Sequence, residues 1–378
     1  MKVGCNLLWL VPDRVGGSEE ATVALLRQIA AQRPDDLDYV VYALDDFAMA
    51  HPDVVALFPH RLARLTGRLK PLRVGAENTW LASETRKDGL DLVHHMNAVL
   101  PLVRRAPGVV TVHDLQPFDM PGNFHPVKRR YVHATVPRSV RGAEIVVTPS
   151  EFVRQGVIDR FGVAPEKVRT TWWGVDAPRS GDDVTVAQVQ DRYGLPPRWF
   201  VLNAMTWPHK NHALLVRAFA TVAAKEHDVM LVLTGGEGQQ EEELAELVRR
   251  LGLGGRVRRT GRVPRPDLLA ILRGATALTF PSRYEGFGLP VLEAMSLGTP
   301  VIAARTTSIP EVAGDAAVLL DPDDIEGWTQ AMLEVLADEA ERARLVEAGR
   351  RRVESFSWAT TASQTIQVYR DALAGKAS

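Results

Sequence analysis

The sequence predicts two α/β domains, each a parallel sheet covered by helices on both faces, that face each other across a cleft. Three observations lead to this prediction. The chain has 378 residues, which is more than a single hydrophobic core usually supports. Short apolar runs rich in β-branched residues alternate with amphipathic runs, as they do in strand–helix–strand units. This alternation stops in a polar stretch near the middle of the chain and then begins again.

The composition is that of an ordinary globular protein, with 46% hydrophobic residues and a formal net charge of −1. Nucleic acid is not expected as a partner, because proteins that bind it usually carry a basic excess. No run of about 18 apolar residues is present, so no membrane span is predicted. The opening run has Lys2 before an apolar stretch, but it lacks a small-residue cleavage site and is better explained as a first strand. The single cysteine, Cys5, fits a reducing compartment, so we expect a cytoplasmic protein.

The first half of the chain begins the alternation of strands and helices. Its predicted strands are Val3–Leu10, Asp38–Ala43, Leu90–His94, Val109–His113 and Glu144–Thr148. Its predicted helices are Ser18–Gln32 and a stretch around Val127–Arg141. Strands that are separated by helices form a parallel sheet. We place the first domain at residues 1–176.

The second half repeats the pattern after a break. Between Asp176 and Asp191 the chain is polar and rich in small residues, which is typical of an interdomain linker. The predicted strands that follow are Phe200–Ala204, Val229–Thr234, Val257–Thr260, Ala277–Pro281 and Pro300–Ala304, with helices at Ala213–Lys225 and Glu241–Leu251. We place the second domain at residues 177–357. Near the end of the chain, Trp358–Ala374 has helical spacing with Ile366 and Tyr369 on one face, and the segment 358–378 is predicted to return to the first domain.

One segment, Phe280–Met295, carries most of the functional information. It runs from a predicted strand end through a glycine-containing loop into a helix. Helix N-termini at the carboxyl ends of parallel strands present free N–H groups that bind anions. Gly286 and Gly288 let the backbone approach a ligand closely. Glu285 and Glu293 are eight residues apart, so we expect them at different depths of one pocket rather than as a close acid–base pair.

This segment resembles the E-x7-E motif of family four glycosyltransferases, also called group 1. That family is retaining and has the GT-B architecture of two Rossmann-like domains. The resemblance implies that Glu285 contacts hydroxyls of a donor sugar and that Glu293 binds the ribose of its nucleotide. It also implies that four backbone amides line the sugar and the diphosphate, those of Gly286, Phe287, Gly288 and Leu289.

A second segment, Pro208–His212, follows the first strand of the second domain and resembles the family's Lys-Asn phosphate clamp. A departing diphosphate gains negative charge, so its site needs fixed cations. The resemblance makes Lys210 that cation and places Asn211 at the nucleotide. The family often has an arginine six residues before this lysine, where this chain has Ala204. Either His209 or an arginine elsewhere supplies the second positive charge, or Lys210 acts with helix dipoles alone.

Other matches extend the resemblance over nearly the whole chain. Gly16 and Gly17 follow the first strand and correspond to a loop whose backbone reaches the donor phosphates. His113, in the sequence Thr-Val-His-Asp-Leu, corresponds to a histidine beside the transferred sugar. Three residues fit the loops that flank the nucleotide base, namely Gly235, Arg262 and Val263.

The mechanism that the resemblance implies needs no strong protein base. The acceptor hydroxyl attacks on the face from which the diphosphate leaves, and the departing phosphate oxygen takes its proton. Catalysis then consists of charge stabilisation and positioning, with His113, Lys210 and Glu285 as the predicted catalytic residues. We find no Asp-x-Asp metal motif at a predicted strand end, so we expect no metal and no other cofactor.

The substrates are predicted only by class. Mannose from GDP-mannose is a family-level expectation, with UDP- and dTDP-sugars as alternatives. The acceptor is a carbohydrate, a lipid-linked or a small-molecule hydroxyl. Two basic segments lie in the first domain, an amphipathic helix predicted at His60–Lys70 and the run Lys128–Arg130. We interpret both as solvated surface. The alternative for His60–Lys70 is contact with an anionic membrane surface or a lipid-phosphate acceptor, and the alternative for Lys128–Arg130 is a position that faces the acceptor.

Three other functions are compatible with parts of the pattern. A Rossmann dehydrogenase would need a third glycine in the loop at residues 236–241, which this chain lacks. A sugar-nucleotide epimerase or phosphorylase could share the architecture but fits the Glu285 segment less well. A non-catalytic nucleotide-sugar-binding protein would not need His113, Lys210 and Glu285 together. The transferase is therefore the preferred interpretation.

Overall fold

The structure, a computed structural model, describes residues 1–12, 16–176 and 184–375. The chain divides into two compact units, Met1–Gly174 together with Ser357–Ser378, and Val175–Phe356. Each unit is built on one sheet whose strands are all parallel, with helices between them. The predicted fold class, a pair of doubly wound α/β domains, is confirmed. Within the described ranges, no helix combines the length and the apolar character that crossing a membrane requires.

The first unit contains a seven-stranded sheet with the order β3-β2-β1-β4-β5-β6-β7. Its strands are β1 (Lys2–Asn6), β2 (Asp38–Leu44), β3 (His60–Ala63), β4 (Leu92–His95), β5 (Gly108–Thr111), β6 (Ile145–Thr148) and β7 (Val168–Thr170). Its helices before the interdomain segment are α1 (Gly17–Gln32), α2 (Asp45–Ala50), α3 (Pro52–Val55), α4 (Lys70–Asn78), α5 (Trp80–Lys87), α6 (Gln116–Asp119), α7 (Pro126–Gly142) and α8 (Glu151–Phe161). Short 3-10 turns lie at Pro121–Asn123 and Pro165–Lys167.

The second unit contains a six-stranded sheet with the order β10-β9-β8-β11-β12-β13. Its strands are β8 (Arg198–Asn203), β9 (Val229–Thr234), β10 (Val257–Gly261), β11 (Ala277–Phe280), β12 (Val301–Ala304) and β13 (Val318–Leu320). Its helices are α9 (Val186–Tyr193), α10 (His212–Lys225), α11 (Glu241–Arg250), α12 (Arg265–Gly274), α13 (Leu289–Ser296), α14 (Ile309–Ala313), α15 (Ile325–Ala337) and α16 (Glu339–Val353). A 3-10 turn, Pro208–Lys210, precedes α10.

The last helix, α17 (Trp358–Ala374), belongs to the first unit. Its predicted inward face is buried, with Ile366 and Tyr369 packed in the core that also contains Cys5. The Tyr369 hydroxyl lies 2.8 Å from Nδ1 of His94 on the central strand β4. The chain therefore completes the core of its first unit only when its last residues have folded onto the first sheet.

Several predicted boundaries differ from the structure. The first strand ends at Asn6 instead of Leu10, because the Asn6 side chain accepts a hydrogen bond from Leu8 N and turns the chain. The strand predicted to end at His113 ends at Thr111. The predicted linker contains the start of α9, which a capping box at Thr185 begins. Its middle part, 177–183, lies outside the described residues.

The basic amphipathic helix predicted at His60–Lys70 is wrong. His60–Ala63 is the edge strand β3, which pairs with β2, and α4 begins only at Lys70. Arg61 in this strand binds the carboxylate of Asp88 at 2.7 Å. Pairing with the neighbouring strand therefore decides the conformation of this segment against its helical periodicity.

Candidate functional site

The candidate site of the second unit lies at the carboxyl edge of its sheet, where the loops after β8, β9, β10, β11 and β12 begin. These loops are joined by hydrogen bonds. Arg283 N donates to the carbonyl of His209 at 2.7 Å, which joins the loops after β11 and β8. Gly238 N donates to Oγ1 of Thr206 at 2.6 Å, which joins the loops after β9 and β8. These hydrogen bonds hold the loops of this edge in one arrangement.

Lys210 and Glu285 meet at this edge. Lys210 Nζ lies 2.5 Å from Glu285 Oε1, and the two side chains are only 18% and 13% exposed. The ammonium also lies 5.5 Å from the centroid of the Phe280 ring at the end of β11. The sequence predicted both residues at one site, and the structure places them in direct contact. A cation is therefore fixed beside a carboxylate, next to the loop that leads into α13.

The loop that carries Glu285 is held by residues that follow β12. Oγ1 of Thr307 accepts from Glu285 N at 3.0 Å, and Oγ of Ser308 donates to the Phe287 carbonyl at 2.7 Å. Thr307 adopts φ 50°, an uncommon conformation for a β-branched residue. This strained backbone persists because the surrounding hydrogen bonds fix it. The Thr307 segment therefore positions Glu285.

Gly288 ends that loop and begins α13. Its φ is 119°, and a Cβ built there would lie 2.7 Å from Cδ1 of Ile309. Only glycine meets both conditions. Leu289 is the first residue of α13, and Gly286 and Phe287 come just before it. The predicted amide-lined turn thus leads into a helix N-terminus, where backbone N–H groups attract anions.

The neighbours of Lys210 have different roles. Asn211 adopts φ 58° at the start of α10 and donates its side-chain amide to the Pro322 carbonyl at 2.7 Å. Burial, together with the charge of Lys210, lowers the pKa of His209 to about 3. His209 is therefore neutral at physiological pH in these surroundings. The source of a second positive charge, His209, an arginine elsewhere or helix dipoles, stays a prediction.

Glu293 lies in α13 with its carboxylate 8% exposed. Arg265, at the start of α12, donates from Nη1 to Glu293 Oε1. The sequence predicted Glu293 as a ligand residue but did not identify Arg265. The two predicted glutamates are each held by a cation, Glu285 by Lys210 and Glu293 by Arg265. Fixed in this way, a carboxylate presents its second oxygen in a defined direction.

The loop after β9 approaches the loop after β8 closely. Gly235 has φ 112°, and a Cβ at this position would lie 2.5 Å from the carbonyl oxygen of Ala204. Arg259 donates to the Gly235 carbonyl at 2.7 Å and forms an ion pair with Glu241. Arg259 therefore fixes the glycine loop from within the unit, a role that was not predicted. Arg262 and Val263 follow β10 at the same edge.

Three predicted residues lie at the carboxyl edge of the first sheet. Gly16 caps α1 with φ 63°, and Gly17 is its first residue. His113, two residues beyond β5, donates from Nε2 to the Met96 carbonyl at 3.0 Å. Its Nδ1 is hidden from solvent and has no partner among the described residues. Burial lowers the pKa of His113 to about 4, so this nitrogen is a hydrogen-bond acceptor at neutral pH.

Two tryptophan rings pack against His113. The rings of Trp9 and Trp173 lie 5.3 and 5.7 Å from the His113 ring, measured between centroids. The indole Nε1 of Trp9 is also hidden and has no partner among the residues that the structure describes. The His113 Nδ1 acceptor and the Trp9 Nε1 donor are therefore two of the buried polar atoms of the first unit that lack a partner, which is uncommon in folded proteins.

No Asp-x-Asp sequence was found at a predicted strand end, and the structure corrects this. Asp321 and Asp323 form an Asp-x-Asp sequence directly after β13, a strand that was not predicted. Asp323 forms an ion pair with Arg283, and Asp321 Oδ1 accepts from Asp323 N at 2.8 Å. The pair is thus part of the loop structure. In the described part of the chain, no three His, Cys, Asp or Glu side chains are grouped as ligands for a metal ion.

Comparison with known families identifies the chain. Residues 199–352 match the family described as Glycosyl transferases group 1, and residues 15–179 match the one described as Glycosyltransferase Family 4. The O-antigen chain mannosyltransferase B of Escherichia coli is 33% identical over 291 residues, which are 75% of each chain. The chain belongs to the group 1 glycosyltransferases of family 4. Both halves of this glycosyltransferase, including the Lys210, Glu285 and Glu293 positions, fall within the matched regions.

Other relatives of this group 1 glycosyltransferase act on different substrates. A glycogen synthase of Mycobacterium tuberculosis is 28% identical over 97% of this chain and 84% of its own. The MMP alpha-(1->4)-mannosyltransferase of Mycolicibacterium hassiacum is 31% identical, over 63% of this chain and 56% of its own.

Solved structures show the same GT-B fold. Sucrose-phosphate synthase of Thermosynechococcus elongatus superimposes with a TM-score of 0.79 at 20% identity, over 99% of this chain and all of that one. HepE of Anabaena, solved with UDP and glucose, gives 0.78 at 19% identity, over 98% of this chain and all of that one.

Proposed function

We propose that this glycosyltransferase moves a hexose, mannose as the first choice, from a nucleoside diphosphate sugar to an acceptor hydroxyl with retention of anomeric configuration. The observation that carries the proposal is the contact between Lys210 and Glu285 beside the glycine-containing turn before α13. Two relatives whose names specify mannosyl transfer support mannose. The O-antigen relative supports a glycan or glycolipid acceptor, and a small-molecule acceptor is the alternative.

In this proposal the second unit binds the donor. The ammonium of Lys210 and the amides before α13 hold the diphosphate, and Glu285 accepts hydrogen bonds from sugar hydroxyls. Glu293, held by Arg265, binds the ribose. Four residues complete the nucleotide site, namely Asn211, Gly235, Arg262 and Val263. In the first unit, His113 keeps its predicted role beside the sugar, and Gly16 and Gly17 keep theirs as donors of backbone N–H groups to the phosphates.

The proposed reaction is a displacement on one face of the sugar. A bond forms between the acceptor oxygen and the anomeric carbon as the bond from that carbon to the diphosphate oxygen breaks. The acceptor proton goes to the departing phosphate oxygen, so no protein base takes it. Lys210 stabilises the negative charge that develops on the diphosphate, and binding in one orientation lowers the entropic part of the barrier.

The test combines donor binding with product analysis. Thermal stability is measured with GDP-, UDP- and dTDP-sugars, with and without magnesium, since a ligand that binds only the folded protein raises Tm. We expect one nucleotide to stabilise far more than the others, and equally with EDTA present. NMR of the product formed on a mannan oligosaccharide then gives the anomeric configuration. Retention supports the proposal, whereas an inverted product or a released sugar phosphate contradicts it.

A further inference from the structure

The first unit carries a surface on which exposed apolar side chains lie among basic ones. We call it the basic–apolar surface and define it by three segments, Leu69–Arg73 at the start of α4, Leu102–Arg105 between β4 and β5, and Val127–Arg130 at the start of α7. Five apolar side chains on it are between 46% and 75% exposed, namely Leu69, Leu72, Leu102, Val103 and Val127. They are five of the eleven large apolar side chains that the described part of the chain exposes. Such clustering marks an interaction site.

Side-chain contacts join the three segments. The Asn78 side chain, at the end of α4, accepts hydrogen bonds from Leu102 N at 2.6 Å and Val103 N at 3.3 Å. The Lys70 ammonium lies 4.8 Å from the centroid of the Tyr131 ring, which joins the start of α4 to α7. The segments are distant in sequence but are connected through α4 and α7.

The charge of this region differs from that of the whole chain. The three segments hold seven lysines and arginines and no aspartate or glutamate. The complete chain has a formal net charge of −1. A strong positive potential is therefore concentrated on one part of the first unit.

Two lysines at the centre of the surface lack carboxylate partners. Lys128 Nζ lies 4.6 Å from the centroid of the Phe124 ring, and Lys70 is placed similarly over Tyr131. Neither ammonium forms an ion pair with any residue in the described ranges. Burial lowers the pKa of both lysines, and the nearby charges of Lys128 and Arg73 lower that of Lys70 further.

Two carboxylates raise the pKa of these lysines and so partly offset the effect of burial. Glu77 acts on Lys70, and Asp114 acts on Lys128. Burial raises the pKa of Glu77 to about 7, so this group carries only part of a charge at neutral pH. Cations held together with so little compensation are stabilised by an anionic partner.

We propose that the basic–apolar surface docks on a membrane that contains anionic phospholipids. The lysines and arginines bind headgroup phosphates, and the exposed leucine and valine side chains enter the boundary between headgroups and acyl chains. Lipid is favoured over a nucleic acid because the exposed apolar side chains are aliphatic, whereas single-stranded nucleic acids are bound by stacking on aromatic rings. This inference does not depend on the donor or the acceptor sugar.

The experiment is co-sedimentation of the full chain with vesicles. One set contains phosphatidylglycerol and phosphatidylcholine in equal parts, and the other contains phosphatidylcholine alone. We expect at least tenfold stronger binding to the anionic vesicles, weakened by high salt because surface charges are screened. Two double variants test the two contributions, Leu102→Ser with Val127→Ser, and Lys128→Gln with Arg129→Gln. Each should weaken binding about tenfold.

Matched variants on the second unit serve as controls. Leu251→Ser with Ile325→Ser removes two other exposed apolar side chains, and Arg249→Gln with Arg250→Gln removes two exposed charges. Both should bind vesicles as the unaltered protein does. Equal binding to both vesicle types, or no effect of the surface variants, overturns the proposal. So does binding of inorganic phosphate or an oligonucleotide at this surface without vesicle binding. Donor-induced stabilisation of each variant, measured in parallel, reports separately on the proposed function.

Discussion

At the scale of single residues, two ion pairs organise the carboxyl edge of the second sheet. Lys210 contacts Glu285, and Arg265 contacts Glu293, so each glutamate of the motif has its own cation. A buried carboxylate without a counter-charge is costly, because the interior solvates charge poorly. Each cation therefore orients a carboxylate, and Lys210 also adds positive charge where a diphosphate is proposed to bind.

Replacing Lys210 by alanine tests the first pair. Loss of one well-placed donor to developing charge raises a barrier by roughly 2.7–4 kcal/mol, so kcat should fall about a hundredfold or more. Steady-state kinetics with the donor identified by thermal shift measures this effect. Lys225→Ala, at an exposed lysine in the last turn of α10, the helix that follows the Lys210 turn, is the matched control and should keep kcat. A Lys210→Ala variant that is folded and nearly as fast as the unaltered enzyme contradicts the assignment.

Arg265→Gln tests the second pair. We expect KM for the nucleotide sugar to rise about tenfold with little change in kcat, because Arg265 orients Glu293, which is proposed to bind the ribose, and does not touch the reacting atoms. A tenfold change corresponds to about 1.4 kcal/mol, close to the usual contribution of a hydrogen bond to a charged group. Arg273→Gln, at the exposed end of the same helix, should leave KM unchanged. If Arg265→Gln lowers kcat and leaves KM alone, a positioning role for Arg265 at the ribose is wrong.

At the scale of elements, the turn before α13 is shaped by contacts from outside its own sequence. The segment after β12 binds it through Thr307 and Ser308, and the side chain of Ile309 packs where a Cβ on Gly288 would lie. The helix N-terminus is thus aimed by a neighbouring loop, and at Gly288 both the backbone φ and the Ile309 side chain disfavour a side chain.

Gly288→Ala should therefore reduce both stability and activity. The positive φ alone costs about 1–3 kcal/mol for a non-glycine residue, and the contact with Ile309 adds to it. Urea unfolding followed by circular dichroism measures the change in free energy. The control is Gly75→Ala in α4, where φ is ordinary and no atom lies within 4 Å of the new Cβ. That change should be neutral or stabilise by about 0.5–1 kcal/mol. Equal effects of the two substitutions would show that the turn tolerates a side chain.

At the scale of the whole molecule, neutral buried histidines occur in both units. Burial is the main cause that lowers the pKa of each of them, to about 3 for His94, His95 and His209 and to about 4 for His113 and His212. The unfolded chain takes up these protons near pH 6.5, whereas the folded chain does not until the pH is far lower. Unfolding is therefore coupled to proton uptake between pH 6.5 and about 4.

We expect stability to fall as the pH drops below 6.5. Each of these histidines contributes up to about 1.4 kcal/mol per pH unit in that window. Glu77 acts in the opposite direction, because its raised pKa of about 7 makes the folded state bind its proton first, and it offsets one of the five. Tm measured from pH 7.5 to 4.5 checks this. Gln substitutions at the exposed His125 and His133 should leave the profile unchanged, and a Tm that is constant down to pH 4.5 contradicts the prediction.

The sequence alone was sufficient for the fold class and for the identity of the motif residues. Local patterns decide both: the period of apolar residues gives strands and helices, and the spacing of Glu285 and Glu293 places them in a loop and the following helix. Strand β9 and helix α17 have the predicted bounds, because the apolar pattern of each is uninterrupted: β9 is buried along its whole length, and α17 buries one face.

Only the tertiary structure decided what depends on residues far apart in the chain. Arg265 finds Glu293, Thr307 positions Glu285, and Lys70 meets Tyr131, and no local pattern marks these pairs. The predicted helix at His60–Lys70 failed for the same reason, because pairing with β2 overrode its helical period. Burial likewise lowers the pKa of His209, which its sequence context does not indicate. Sequence patterns record which face of an element is apolar, whereas charge state, partner and exact orientation arise when distant segments pack together.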